Sequence, residues 1–532
     1  MSKGTYSFTT PIYYVNAAPH LGTAYTTIAA DTVARYQRMN GYDVAFVTGM
    51  DEHGQKVADV AAEHGMTPQA WCDSMEPAFR EAWDMLDITY TDFVRTSEDR
   101  QARTVRTFWQ DLYDKGFCYK GSYEGWYCVH EETYYAESDL EKNEEGAYVC
   151  PDCKRPVQQA GGEENWFFKL SEFQRPLLDF YEEHPDFIRP ETRRNEIVAF
   201  VKGGLKDLSI SRSTFDWGVP LPFDKGHVAY VWADALLAYL TGIGYADPDR
   251  PGEFDANWPM QYHFVGKDIT RFHCVIWPAM LMAAGLPITH TVFGHGFLLT
   301  KGEKMSKSKG NALRPADLVG VFGVDAYRYY FMSDVQFGHD GSISLERMVQ
   351  VYNADLANTW GNLFSRVTNM TKKYFDAHVP EVAPSFGEGE RGAENPLREM
   401  SAGLYAAYDE AMGRVDFTAA AREVMALAER ANRYIEETEP FRLAKDPERA
   451  DELAFVMYNL LEAIRICALY LAPFAPNTSA EVFRRLGLGD VTEVVDIEAA
   501  TAWGQLPAGG SVSVGDPLFP RLDTDAIDFD ME

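Results

Sequence analysis

The chain has 532 residues, enough for several domains that each bury a core. Asp and Glu number 80 against 49 Lys and Arg, a net charge of −31; such a surface repels phosphate at long range and excludes general nucleic-acid binding, so any nucleic-acid contact must come from local basic patches. Seven scattered cysteines, an odd count, fit a reducing compartment rather than a disulfide framework; with no apolar signal segment in MSKGTYSFTT and no run of about 18 apolar residues, a cytoplasmic chain without a membrane is expected.

Residues 8–41, FTTPIYYVNAAPHLGTAYTTIAADTVARYQRMNG, read as strand, tight turn and helix. Gly41 ends the helix and residues 42–48, YDVAFVT, form a second buried strand. The unit is therefore βαβ, whose parallel sheet places ligands at the carboxyl ends of its strands. His20, Gly22 and Thr23 stand at the helix mouth, where free N–H groups and the positive helix end favour phosphate and a residue without Cβ lets a base approach. Asp51, Glu52 and His53 follow the second strand directly, where a carboxylate can hold an ammonium group or cap the next helix. Helices are expected over residues 57–66 and 68–86, then strand and helix over 93–116.

From about residue 118 to 224 short strands, turns and acidic loops interrupt the α/β pattern. This region holds WYCVHEE and the CPDC of Cys150 to Cys153, which has the spacing of a zinc knuckle. Residues 228–239 and 262–282 then resume strand-to-helix patterns rich in aromatics, and glycine turns at GKD (266–268) and GHG (294–296) should face the crevice. GEKMSKSKGN, residues 302–311, is a glycine-bounded flap whose ammonium groups, Lys304, Lys307 and Lys309, with Lys301 just outside it, can fold over a polyanion. A second basic candidate, KGGLKDLSISR at 202–212, reads equally as a solvated surface. Beyond residue 315 the chain is helical; Leu345, Met348, Tyr352, Leu356, Trp360 and Leu363 follow a helical period. A Gly, Glu and Pro-rich stretch covers 374–396, more helices cover 397–437 and 448–471, and an acidic tail closes the chain.

HLGT and KMSKS resemble, in this order and separation, the HIGH and KMSKS signatures of class I aminoacyl-tRNA synthetases. PIYYVNAAPHLGTAYTTIAADTVARYQRMNG, TGMDEHGQKV, YVWADALLAYL, FVGKDITRFHCVIWPAML and GEKMSKSKGN narrow the resemblance to the methionyl-tRNA synthetase family, over nearly the whole chain. It implies an α/β fold: a class I Rossmann-like parallel-sheet catalytic domain (1–117 and 226–300) split by a connective insertion (118–225), a KMSKS and stem-contact region (301–345), and an all-α anticodon-binding domain with the acidic tail (346–532). The implied activity is ATP-dependent ligation of L-methionine to tRNA(Met) through methionyl-adenylate, for initiation and elongation, with Mg²⁺.

By the same resemblance His20, Lys304 and Lys307 are catalytic, and His20, Gly22, Thr23, Asp268, His295 and Lys307 bind ATP. Methionine falls to Ile12, Tyr14, Asp51, Trp232, Ala235, Tyr239, Ile269, Phe272 and His273, and the CAU anticodon to Asn362, Arg366 and Phe441. A structural Zn²⁺ would take Cys128, Glu131 (or His130), Cys150 and Cys153; a knuckle in decay, held by Tyr and Trp packing, is the other reading. The chain departs from the family at Thr23, where a second histidine is usual, at Leu236 for proline, at Phe441 for tryptophan and at Glu131 for cysteine. The added C-terminal module of some relatives is not seen, so a monomer is expected. Other readings are a class I synthetase for isoleucine, leucine or valine, which usually carries a far larger editing insertion; a non-tRNA nucleotidyltransferase, which has no use for the helical third; and an inactive tRNA-binding paralogue, which should have lost His20 or the lysines.

Overall fold

The computed structural model describes residues 2–128, 133–135, 137, 140–143, 146–151, 153–300, 303–304, 314–387 and 395–523. Its centre is a six-stranded parallel sheet built from β1 (Thr5–Tyr14), β2 (Asp43–Asp51), β3 (Asp92–Arg95), β4 (Ile188–Arg189), β5 (Tyr262–Gly266) and β6 (Thr291–His295), in the order β3-β2-β1-β5-β6-β4. Strand order reverses between β1 and β5, and the crevice opens there, outside the carboxyl ends of the strands. Covered on both faces, the strands read as continuous apolar runs: Phe8, Phe46, Val47, Phe264, Val265 and Val292 are buried, and Phe8 stacks on Phe46 at 5.1 Å.

Helix α1 (Leu21–Met39) follows β1. Its alanines and Leu21, Ile28 and Val33 are buried almost all round, so it is a core helix rather than a surface one. Asn40 caps it and Gly41, at φ +87°, turns the chain into β2.

The inserted region is a second, antiparallel sheet in which Cys118–Cys128 pairs with Gln158–Phe168, flanked by Thr133–Tyr135 and Leu208–Ser209. The range expected to be insertion contains one return to the main sheet: β4, between helices Gln174–Glu183 and Glu191–Lys202, pairs with β6. The C-terminal part is mainly helical among the described residues, its main members being Val324–Ser333, Asn362–Tyr374, Pro396–Gly413, Phe417–Thr438, Ala450–Leu471 and Pro476–Arg485. The six residues of the apolar series from Leu345 to Leu363 are all buried. Two of its spacings of four, from Tyr352 to Leu356 and on to Trp360, fall on a π-helical stretch, Tyr352–Gly361, whose i→i+5 turn is wider than that of an α-helix. Ala450–Leu471 is long and apolar enough to cross a membrane by composition, but it is almost wholly buried as the central helix of this bundle. One apolar core runs without a break from Phe8 and Phe46 through Tyr36 and Met39 into Leu404, Tyr408 and Leu469.

Candidate active site

The mouth of α1 is built by a capping box. His20 lies in extended backbone, and its Nδ1 accepts from the N–H of Gly22 at 3.0 Å and of Thr23 at 3.4 Å. Thr23 Oγ1 accepts from His20 N at 2.9 Å and donates to His20 O at 2.7 Å. An Nδ1 that accepts two backbone N–H groups fixes the neutral tautomer, with the ring proton on Nε2. Gly22 gives the ring room, since a Cβ there would lie 3.0 Å from His20 Cε1 and 3.1 Å from Nδ1, a contact tight enough to crowd the imidazole. Thr23 thus spends its hydroxyl locking the histidine.

At the end of β6, His295 donates from Nδ1 to Gly296 O at 2.8 Å and accepts at Nε2 from the Thr26 hydroxyl at 2.6 Å. Burial lowers its pKa, so the ring is neutral, and it stands edge-on to Tyr25 at 5.5 Å. His295 therefore grips the second turn of α1 from two strands away in the sheet. The flap springs from the same place: Leu298–Thr300 pairs antiparallel with Glu303–Lys304 and parallel with Gly341–Ile343. Lys267, just after β5, holds the base of this hairpin by binding Asp340 at 2.7 Å, while Asp340 accepts from Phe297 N at 2.8 Å. Asp268 follows, exposed, in the turn Lys267–Ile269 at the carboxyl end of β5. Lys304 lies in the hairpin; Lys307 and the rest of the flap are outside the described residues.

The residues expected to take methionine meet on the other side of the switch point. Trp232 and Phe272 stack at 3.8 Å and 10°, His273 stands edge-on to Trp232 at 6.1 Å, Tyr239, Ile12, Tyr14 and Ile269 belong to the same cluster, and Ala235 is buried on the helix that carries Trp232. His273 donates from Nδ1 to Ile269 O at 3.0 Å, so Nε2 must accept from the Tyr239 hydroxyl at 2.6 Å. Burial brings the His273 pKa down to about 4 and keeps the ring neutral. The buried Trp232 Nε1 has no hydrogen-bond partner among the described residues, a donor at the pocket wall. Asp51, last residue of β2, is buried and in register with Tyr14 of β1. It does not cap the next helix, Gln55–Glu63, whose N-cap is Gly54.

Sequence reasoning missed the groups behind this wall. His263 links Thr9 at 2.7 Å to Trp277 at 3.1 Å and Thr289 at 2.8 Å, and its ring lies 4.6 Å from that of Tyr239. Glu52 binds Arg95 at 2.7 Å; burial raises its carboxyl pKa against the opposing pull of Ser97 and Arg95. His53 Nδ1 meets Asp234 Oδ2 at 2.5 Å, and Gln101 donates to Asp234 Oδ1 at 2.7 Å, tying the end of β2 to the helix that carries Trp232. Only HE in DEHG and WAD in VWADA marked these partners, and nothing in the sequence paired them.

In the insertion, one thiol each from Cys128, Cys150 and Cys153 fall within 4.8 Å of one another, with Cys128 and Cys153 Sγ 3.6 Å apart. Two thiolates on one tetrahedral zinc lie about 3.8 Å apart at Zn–S bonds of about 2.3 Å, so the thiols fit the ion. Glu131 and His130 are outside the described residues. In the helical part Asn362 is exposed on Asn362–Tyr374, Arg366 binds Glu436 at 2.7 Å, and Phe441, five residues beyond Glu436, is 41% exposed.

A doubly wound sheet split by an antiparallel insertion, with a histidine-capped helix after the strand at its switch point and a lysine-bearing hairpin after a strand on the other side of it, is the architecture of the class I aminoacyl-tRNA synthetases. Residues 6–368 match the family model described as tRNA synthetases class I (M), and residues 383–530 that of the anticodon binding domain of methionyl tRNA ligase. A methionine--tRNA ligase of Streptomyces coelicolor is 47% identical over 529 residues, 97% of each chain. One from Caldanaerobacter subterraneus is 46% identical over 523 residues, 98% of this chain and 80% of its own. The solved Mycobacterium tuberculosis methionyl-tRNA synthetase in complex with methionyl-adenylate shares 39% identity and superposes with a TM-score of 0.91, over 97% of this chain and 100% of that one. The chain belongs to the methionyl-tRNA synthetase family.

Proposed function

We propose that this chain ligates L-methionine to tRNA(Met) for initiation and elongation, in two steps at the crevice between β1 and β5. ATP enters as its Mg²⁺ complex. The positive end of α1 receives the phosphates, Gly22 and Thr23 serve there by holding the imidazole through their N–H groups, and His20 offers Nε2–H to a phosphate oxygen. Asp268 is placed for the ribose, while His295 serves the nucleotide by holding α1 through Thr26. Asp51 takes the ammonium group of methionine, and Ile12, Tyr14, Trp232, Ala235, Tyr239, Ile269, Phe272 and His273 enclose a thioether, each sulfur–aromatic contact contributing about 1 kcal/mol.

The methionine carboxylate attacks the α-phosphorus, forming a C–O–P bond as the bond to pyrophosphate breaks. Lys304 and Lys307 of the flap, with His20, balance the charge growing on the departing phosphates. The 3′-terminal ribose hydroxyl of tRNA then attacks the activated carbonyl, the ester forms and AMP leaves. No protein nucleophile takes part; the chain contributes orientation and electrostatics.

Asn362, Arg366 and Phe441 receive the anticodon: Arg366 exchanges Glu436 for a base edge, and the exposed Phe441 ring stacks an unpaired base. Cys128, Cys150 and Cys153, with Glu131 or His130 as fourth ligand, hold a structural Zn²⁺ that pins the tip of the insertion.

One observation carries this reading: the capped mouth of α1 and the hairpin bearing Lys304 follow β1 and β6, the two strands that flank β5, and the hairpin begins only three residues beyond His295, whose Nε2 meets Thr26 of α1. The test is to incubate the protein with methionine, ATP and tRNA(Met), trap methionyl-adenylate and measure charged tRNA. Adenylate without ester, or neither, contradicts it.

A further inference from the structure

Arg328, on helix Val324–Ser333, has no exposed surface, and its guanidinium joins parts of the chain far apart in sequence. Nη2 binds Asp31 of α1 at 2.6 Å and donates to Pro473 O at 3.0 Å. Nη1 donates to Leu86 O at 2.9 Å and Nε to Phe474 O at 3.4 Å. Asp31, equally buried, also binds Arg35 at 2.7 Å and accepts from Thr89 N at 2.7 Å. Burial alone would raise its carboxyl, but Arg328, Arg35 and Thr89 bring it down to about 2. Pro473 and Phe474 lie in the turn that follows the central helix, Ala450–Leu471, of the anticodon-binding unit, so these bonds cross from one family match to the other. A weaker contact supports the same junction: the Tyr36 hydroxyl, also on α1, binds Asp409 at 2.6 Å.

Asp31 lies eleven residues along the helix whose first residue follows His20, about 16 Å at 1.5 Å per residue. The guanidinium is thus fixed at once to the helix that cradles phosphate and to the unit that reads the anticodon. We infer that Arg328 is a positioning residue for the transfer step, setting the angle of the anticodon-binding helices to α1 so that a tRNA seated on Phe441 delivers its 3′ end to the crevice. Adenylate formation needs no tRNA and lies outside this control. The inference rests on the function proposed above. Arg328→Lys keeps a charge beside Asp31, but its compact ammonium group cannot span Leu86, Pro473 and Phe474 together.

The experiment compares three measurements on wild type and R328K: methionine-dependent pyrophosphate exchange, tRNA(Met) affinity, and single-turnover transfer from preformed methionyl-adenylate to tRNA. Transfer should fall about tenfold, within the range of interdomain couplings, while exchange and affinity stay within about twofold. Tyr36→Phe, a milder variant, should shift transfer the same way by about twofold and decides the matter if R328K does not fold. Equal loss of exchange and transfer assigns Arg328 to stability alone and overturns the inference, as does unchanged transfer in folded R328K, or in Y36F where only that variant folds. A wild-type chain that forms adenylate but charges no tRNA overturns the underlying reading, and this one with it.

Discussion

Thr23→Val removes a hydroxyl and keeps the shape. In the structure that hydroxyl donates to His20 O at 2.7 Å and accepts from His20 N at 2.9 Å, so its only proton is committed within the cap and cannot be given to a nucleotide. His20 is exposed and Thr23 half-buried, so each lost bond costs at the low end of the usual range, about 0.5 kcal/mol, or about 1 kcal/mol for the pair. The imidazole, still held by Gly22 N and Thr23 N, then samples other orientations, and an energy of about 1 kcal/mol corresponds to roughly a fivefold loss of the productive one. Pyrophosphate exchange at saturating ATP and methionine should therefore drop about fivefold, with the ATP KM within about twofold and stability to denaturant lower by about 1 kcal/mol. Thr23→Ser, which keeps the hydroxyl, should sit near wild type. An ATP KM raised more than about tenfold in T23V with stability unchanged would place the hydroxyl on the nucleotide and refute the cap argument.

His273, folded with a pKa of about 4 against about 6.5 unfolded, is protonated first in the unfolded chain. Its contribution is therefore whole above about pH 6.5 and lost as the pH falls toward 4, in total about 3 kcal/mol, and His263 is depressed in the same direction. Thermal melts across that window should show stability rising with pH, with a shallower slope in His273→Gln; a flat wild-type profile contradicts it. Zinc analysis should find the metal in the wild type and lose it in Cys150→Ser, which should melt at lower temperature; a metal-free wild type rejects the zinc assignment. Phe441→Ala should lower kcat/KM for tRNA charging by about 5- to 150-fold, the value of about 1 to 3 kcal/mol of base stacking, and leave pyrophosphate exchange untouched. Equal losses in both assays would remove Phe441 from the anticodon surface.

The central βαβ unit was legible because its signals are local: an unbroken apolar strand, a turn, an alanine-rich helix and Gly41 at its end. His20 was readable as a helix-mouth residue from position alone, but that its Nδ1 would turn back on the helix was not, since this follows from Thr23 and Gly22 acting together. β4 has two residues and therefore no periodicity, and its place in the sheet is set by β6, about a hundred residues away. The pairs His53–Asp234, Glu52–Arg95 and Asp31–Arg328 lay hidden for the same reason, as each polar group reads in sequence like a surface residue until the fold buries it beside its partner. The π-helical stretch left a trace in the run of four-residue spacings, which a helical period tolerates and so did not reveal.

The most direct measurement is ATP–pyrophosphate exchange with each of the twenty amino acids in turn, with and without a chelator of Mg²⁺. Methionine alone should support exchange, and chelation should abolish it. Exchange driven equally by isoleucine, leucine or valine, or none with methionine in the folded protein, would contradict the assignment of this crevice.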